Sequence, residues 1–233
     1  MPFFFFDPTM ILLLPAMIFA LWAQWKVQHT YREMSEVKAA NGLTGRQMAE
    51  SIMRRNGISD VVVEPVDGVL SDHFDPREKK VRLSLSNYQG DSLASIAVAA
   101  HEVGHVLQHA QGYAPLALRS AIVPVAGFGS TLAFPLFFIG FLFGGQGQLG
   151  RWLMDLGILF FSGAVLFQAV TLPVEFDASR RAMAQLTESG ALAPQEVAGA
   201  RKVLDAAALT YVAAAAMAAL QLLRLVMLRR SRN

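Results

Sequence analysis

The stretch Ala99-Ala100-His101-Glu102-Val103-Gly104-His105-Val106-Leu107-Gln108-His109 decides how this chain is read. On a helix, residues four apart lie one above the other, so His101 and His105 point two imidazoles at one zinc ion. Glu102, one position on, then reaches the reacting water. Upstream, Asp91 or Ser92 caps a helix whose next residues, Leu93 to Ala100, are almost wholly apolar or small. A helix that enters a core carrying two histidines and a glutamate needs partners for them. An unpaired buried polar group costs roughly 2 to 7 kcal/mol, and a charge costs more. A metal ion answers that need, and a structural cluster of the three side chains is the rival account. Gly104 costs about 0.5 to 1 kcal/mol of helix propensity against alanine, so a close neighbour, a strand or a ligand, is expected over its face. His109 lies eight residues beyond His101, about 12 Å along the axis. It is therefore expected as a polar contact at the end of the helix, not as a ligand.

Two histidines make half of a tetrahedral site. A third protein ligand must come from elsewhere, and a catalytic site keeps its fourth position open. Composition narrows the search. Of the 233 residues 54% are hydrophobic and 16% charged, against about 25% charged in ordinary soluble domains. The apolar excess comes in blocks, the mark of a membrane protein. The formal net charge is +2 and the basic residues cluster beside those blocks, which fits lipid headgroups and gives no reason to expect nucleic acid. With no cysteine, thiolate catalysis, iron-sulfur clusters and disulfides are excluded, and any zinc must use nitrogen and oxygen donors.

The first block, Pro8 to Trp25, is free of charge and is bordered by Phe3 to Asp7 on one side and by Trp22, Trp25 and Lys26 on the other. It reads as a retained anchor with Pro15 as a kink. A helix is expected over Lys26 to Ala40, and a second from the Thr44/Gln47 capping box to Arg55, stopped by Asn56-Gly57. Asp60 to Glu64 and Lys80 to Leu85 read as strands, with Pro65 to Pro76 as a long turn between them. A small sheet beside the zinc helix follows, whose edge could hold an extended peptide. Within the turn, Asp72-His73-Phe74-Asp75-Pro76 is expected to be structural, with His73 and Asp75 as alternatives for ordering the metal site.

Leu116 to Gly144 and Trp152 to Leu172 form a hairpin of two spans through the glycine link Gly144 to Gly150. Two spans return the chain to the side it left, so Leu172-Pro173-Val174-Glu175-Phe176-Asp177-Ala178-Ser179-Arg180-Arg181-Ala182 can meet the histidines. Pro173 favours a helix starting here. Glu175 is the preferred third ligand, Asp177 the alternative, and first-turn acids serving only the helix dipole the rival account. Arg180 and Arg181 could contact lipid phosphate, pair with Asp177 or stabilise an oxyanion. Pro194 to Leu204 reads as a helix, and Ala206 to Leu228 as the last span, with Arg224 snorkelling and Asp155 solvated or capping.

On Asp72 to Pro76, Ala100 to His105 and Leu172 to Ala182, the chain resembles the bacterial membrane proteins grouped as neutral zinc metallopeptidases, also called YugP-like. The resemblance covers nearly the whole length, including the spacing of the apolar blocks. It implies a branch of the membrane gluzincins, whose third ligand is a glutamate on a later helix, usually in Glu-x-x-Ala-Asp. Here these positions are Glu175, Ala178 and Ser179, so serine replaces the customary aspartate and Asp177 or Asp75 is left to support a ligand histidine.

The expected protein is an α-helical membrane protein with a small α+β cytoplasmic portion, a zincin-like His-Glu-x-x-His helix beside a small sheet, and about four membrane helices. Its segments are residues 1–25, an anchor; 26–115, the zincin-like portion; 116–172, the transmembrane hairpin; 173–205, the third-ligand segment; and 206–233, the last span and basic tail. Basic residues near the span ends place the catalytic portion in the cytoplasm and the protein in the bacterial inner membrane. The tail residues Arg229, Arg230 and Arg232 run against that orientation. The expected activity is peptide-bond hydrolysis with zinc held by His101, His105 and Glu175, Glu102 as general base, and Asp75, His73, Asp177, Ser179 and Arg180 as supporting residues. Peptide or protein substrate and membrane lipid are the expected partners, alongside a membrane protein partner or a second copy. The alternatives are a non-hydrolytic scaffold or chaperone-like binder with a structural zinc, and a transporter. The scarcity of ionisable groups deep in the apolar blocks counts against the transporter.

Overall fold

The computed structural model describes residues 8–68, 71–143 and 147–231. The expected border at Phe3 to Asp7, the glycine link at Gly144 to Gln146 and the tail residue Arg232 lie outside the described residues. A 3₁₀ turn over Pro8–Leu13 leads into α1 (Leu14–Ser35). Next come α2 (Gly45–Arg55), β1 (Val62–Val66), β2 (His73–Asp75), β3 (Lys80–Ser84), α3 (Leu85–Gln89) and α4 (Leu93–Ala110). Three long helices complete the order: α5 (Ala114–Leu142), α6 (Gln148–Glu188) and α7 (Pro194–Arg230). Among the described residues four helices are long and apolar enough to cross a membrane, and this is a membrane protein of the expected class.

Several expectations change. Pro15 stands in the first turn of α1 and needs no kink there. Pro173 does not start a helix; it lies inside α6, as Pro124 and Pro135 lie inside α5. The missing N–H of a proline leaves one helical carbonyl without its usual donor, a loss that long apolar helices tolerate when neighbours compensate. Glu175 and Asp177 are consequently nowhere near a helix start, and the dipole account of them lapses. The stretch 194–204 and the last apolar block are one helix, α7. The long turn contains β2, too short a strand to be read from alternation.

The structure divides into two compact units. The first comprises the described residues of 23–117 and 173–209. Its sheet has the order β1-β3-β2, with β1 parallel and β2 antiparallel to β3. Asp72 ties the end of β3 to α3 by accepting from Ser84 N at 2.8 Å and Asn87 Nδ2 at 3.0 Å. The capping box holds the start of α2: Gln47 N donates to Thr44 Oγ1 at 3.3 Å, and Thr44 N donates to Gln47 Oε1 at 2.9 Å. Met48, Ile52 and Met53 on its inner face are buried with Ile96, Val103 and Val106 of α4, each worth about 1.5–3 kcal/mol of burial.

The second unit comprises the described residues of 1–22, 118–172 and 210–233. Its core gathers Ala133, Phe137, Met154, Phe161, Leu225 and Leu228. Polar groups here find partners. Arg224 Nε donates to Thr9 Oγ1 at 3.2 Å, and Asp155, exposed as expected, also accepts from Arg229 Nε at 2.8 Å.

Candidate metal centre

Ser92, rather than Asp91, caps α4, its Oγ accepting from Ser95 N at 3.2 Å; Asp91 pairs with Lys38 at 3.0 Å. From that start almost the entire helix is buried, which accounts for the apolar run before the motif. The neighbour demanded by Gly104 is neither a strand nor a ligand but the backbone of α6. A Cβ at Gly104 would stand 2.3 Å from the carbonyl oxygen of Ala178, closer than nonbonded atoms approach. Glycine thus lets the two helices touch, and Ala178 sits between Glu175 and Ser179.

That contact assembles the cluster. His101 Nε2 lies 3.2 Å and His105 Nε2 3.5 Å from Glu175 Oε2, and one donor atom from each of the three residues falls within 4.8 Å of the others. The imidazoles meet edge to face, centroids 4.9 Å apart. Each histidine is steadied through its other nitrogen: His101 Nδ1 is 3.1 Å from Ser179 Oγ, and His105 Nδ1 is 3.0 Å from Gln108 Oε1. Gln108 in turn donates to Val174 O at 2.8 Å and to Asp177 Oδ2 at 2.9 Å. Asp177 also accepts from Arg181 Nε at 2.5 Å and from Arg180. Arg181 donates to the Gln111 side chain and lies over the Tyr113 ring.

Glu102 is buried, at 8% exposure. No hydrogen bond reaches its carboxylate among the described residues, and none of their fully sealed side-chain polar atoms lacks a partner. Its oxygens therefore keep an opening to solvent. Burial pushes the Glu102 carboxyl above the usual range; the imidazoles of His101 and His105 oppose this, and Glu175 and Asp72 add to it. For His105, burial disfavours the charged ring, but the hydrogen bond that the charged ring donates to Glu175 and the fields of Glu102 and Glu175 outweigh it and raise the pKa. The carboxylates of Glu102 and Glu175 thus favour positive charge beside His105. Nitrogen and oxygen donors at this spacing, with both Nδ1 atoms already engaged, fit a zinc ion and can bind a metal.

The other expected residues fall as follows. Asp75 accepts from the backbone of Arg77 and Glu78 and faces Arg82. His73 Nδ1 meets Ser71 O at 2.8 Å. Arg180 is exposed beyond its contact with Asp177. His109 rests its ring 5.8 Å from that of Phe74 on β2, an aromatic contact where a polar one was expected. Gln108 was missed. The available signal was its place three residues after His105, on the same helix face.

The chain matches, over residues 9–230, the family described as "Putative neutral zinc metallopeptidase". It belongs to that family. It is also 48% identical over 217 residues to the "Putative membrane protease YugP" of Bacillus subtilis (strain 168), covering 93% of this chain and 94% of that protein. No solved structure matches. The membership agrees with the resemblance drawn from the three motifs and with zinc as the cofactor.

Proposed function

We propose that the chain is a membrane-bound zinc endopeptidase in which His101, His105 and Glu175 hold the metal and Glu102 is the general base. The observation that carries this reading is a buried carboxylate without a hydrogen bond among the described residues, one residue from a His-His-Glu cluster. Zinc held there supplies Lewis acidity toward a carbonyl oxygen and lowers the pKa of water. Glu102, its carboxyl raised by burial, takes the proton of the attacking water and returns it to the leaving amine. His101 and His105 are kept in orientation by Ser179 and Gln108, so the donor set is formed before substrate arrives. An extended peptide has a place to lie along β2, which among the described residues pairs with β3 on one side only. The positive-inside pattern, with Lys26, Arg32, Lys38, Arg180 and Arg181 after the first and third apolar blocks, supports the bacterial inner membrane with the site facing the cytoplasm.

The test is Glu102→Gln in the full-length protein in lipid, assayed on an unfolded protein substrate beside wild type. Zinc content should be unchanged and the rate should fall about 10²–10⁴-fold, the usual share of general-base catalysis. Hydrolysis at the wild-type rate would refute the assignment.

A further inference from the structure

The two histidines are supported by different chemistry. Ser179 Oγ can donate or accept, so its 3.1 Å contact with His101 Nδ1 is compatible with either tautomer of that ring. Gln108 allows no such freedom. Its Nε2 carries two hydrogens, and both are committed, one to Val174 O at 2.8 Å and one to Asp177 Oδ2 at 2.9 Å. Turning the amide over would set its oxygen against a carbonyl oxygen and a carboxylate, with no proton between them. Oε1 must therefore face His105 Nδ1, 3.0 Å away. An amide oxygen only accepts, so Nδ1 must carry a proton; in the neutral ring that leaves the lone pair on Nε2, which faces Glu175 Oε2 3.5 Å away.

We infer that Gln108 is a positioning residue that locks His105 as the Nδ1–H tautomer, with Asp177 setting the direction of the lock from the helix that also carries Glu175. The inference rests on the reading of His105 as a metal ligand only for its use. The tautomer itself follows from hydrogen bonds among groups of this chain. Gln108 is fully buried, so water does not substitute for it. Asp177 is itself held by Arg181, which reaches Gln111 just past the end of α4. The strut therefore ties the lone pair of His105 to the seating of α6 on the last turn of α4. Sequence spacing offered Asp177 as an alternative ligand; in this arrangement its carboxylate orders a ligand one residue removed.

The primary test needs no variant. In metal-free full-length protein, at a pH where the ring is neutral, nitrogen NMR of His105 should show the proton on Nδ1; a proton on Nε2 overturns the inference. Zinc affinity, by competition with a chelator, provides the second arm. Gln108→Leu should weaken it about 10- to 100-fold, the usual effect of losing such a support. Gln108→Glu should weaken it similarly, because a second carboxylate then faces Asp177. Adding Asp177→Asn to Gln108→Glu restores a donor at that position and should recover at least part of the loss, a rescue that simple space-filling does not predict. Wild-type affinity in Gln108→Leu, or no recovery in a folded double variant, counts against the lock. If wild-type protein binds no zinc, the metal reading fails while the NMR result still decides the tautomer.

Discussion

Both units bring helices together at glycine, and what collects around the contact differs. In residues 23–117 and 173–209, Gly104 admits the Ala178 carbonyl, and the groups nearby are His101, His105, Glu175, Gln108, Ser179 and Asp177, nearly every one hydrogen-bonded to another. In the other unit, a Cβ at Gly140 would meet Gly150 O at 2.5 Å and one at Gly157 would meet Ala133 O at 2.7 Å. There the neighbours are Phe137, Met154 and Phe161. The same close approach thus serves precision in one case and cohesion in the other. Without a strong hydrophobic force between helices in lipid, small residues are what allow them to gain contact. In the first unit an ordinary hydrophobic core already supplies cohesion, and the glycine sets where a carboxylate meets two imidazoles.

The sharpest way to break this contrast is Gly104→Val. The new Cβ must displace the α6 backbone at Ala178, costing about 1–3 kcal/mol and occasionally more. Because Glu175 lies three residues away, the variant should also lose zinc even when folded. Thermal unfolding followed together with zinc content checks both effects. A folded variant with full zinc content would show that the crossing does not set the site.

Gly157→Val should follow, with a similar or smaller stability loss of about 1–3 kcal/mol from the clash with Ala133 O and Phe137 N. Its folded fraction should carry zinc in the wild-type ratio. Equal loss of metal in the two variants would erase the distinction between a crossing that aligns donors and one that only holds helices together.

How much of this was legible beforehand depended on range. His101, Glu102 and His105 lie within one turn, where helix periodicity alone aligns them. Glu175 could be reached by counting spans, because two crossings restore the side. Gly104 announced a close approach by its propensity cost, but not what approached, since the Ala178 backbone lies more than seventy residues on. Gln108 was legible only in its position, three residues after His105; its role was not, because an ordinary glutamine gains it only when Val174 O and Asp177 arrive on either side of its amide. Pro173 misled because local rules treat proline as a helix boundary, whereas the apolar helix runs through it. The capping box at Thr44, being wholly local, was read correctly.

The smallest effect concerns the outer surfaces. Phe128 and Val125 on α5 are 67% and 71% exposed, and Leu85 on α3 is 55% exposed; exposure alone does not distinguish them. Their surroundings should. α5 is one of the four apolar helices of membrane length, so Phe128→Ser and Val125→Ser should each remove about 0.3–0.6 kcal/mol of favourable insertion free energy, read as the inserted fraction of the α5 segment in a translocon assay. Leu85 belongs to the unit with the sheet and the polar cluster, where replacement of an exposed side chain by serine should stay within about 0.5 kcal/mol of neutral in an unfolding measurement. The α5 pair should be additive, because each side chain contributes by leaving water and not by touching a specific partner. If the serine variants of α5 inserted as well as wild type, its exposed apolar face would have to meet something other than lipid, and the division between a unit that aligns polar groups and one that shelters apolar ones would need redrawing at that helix.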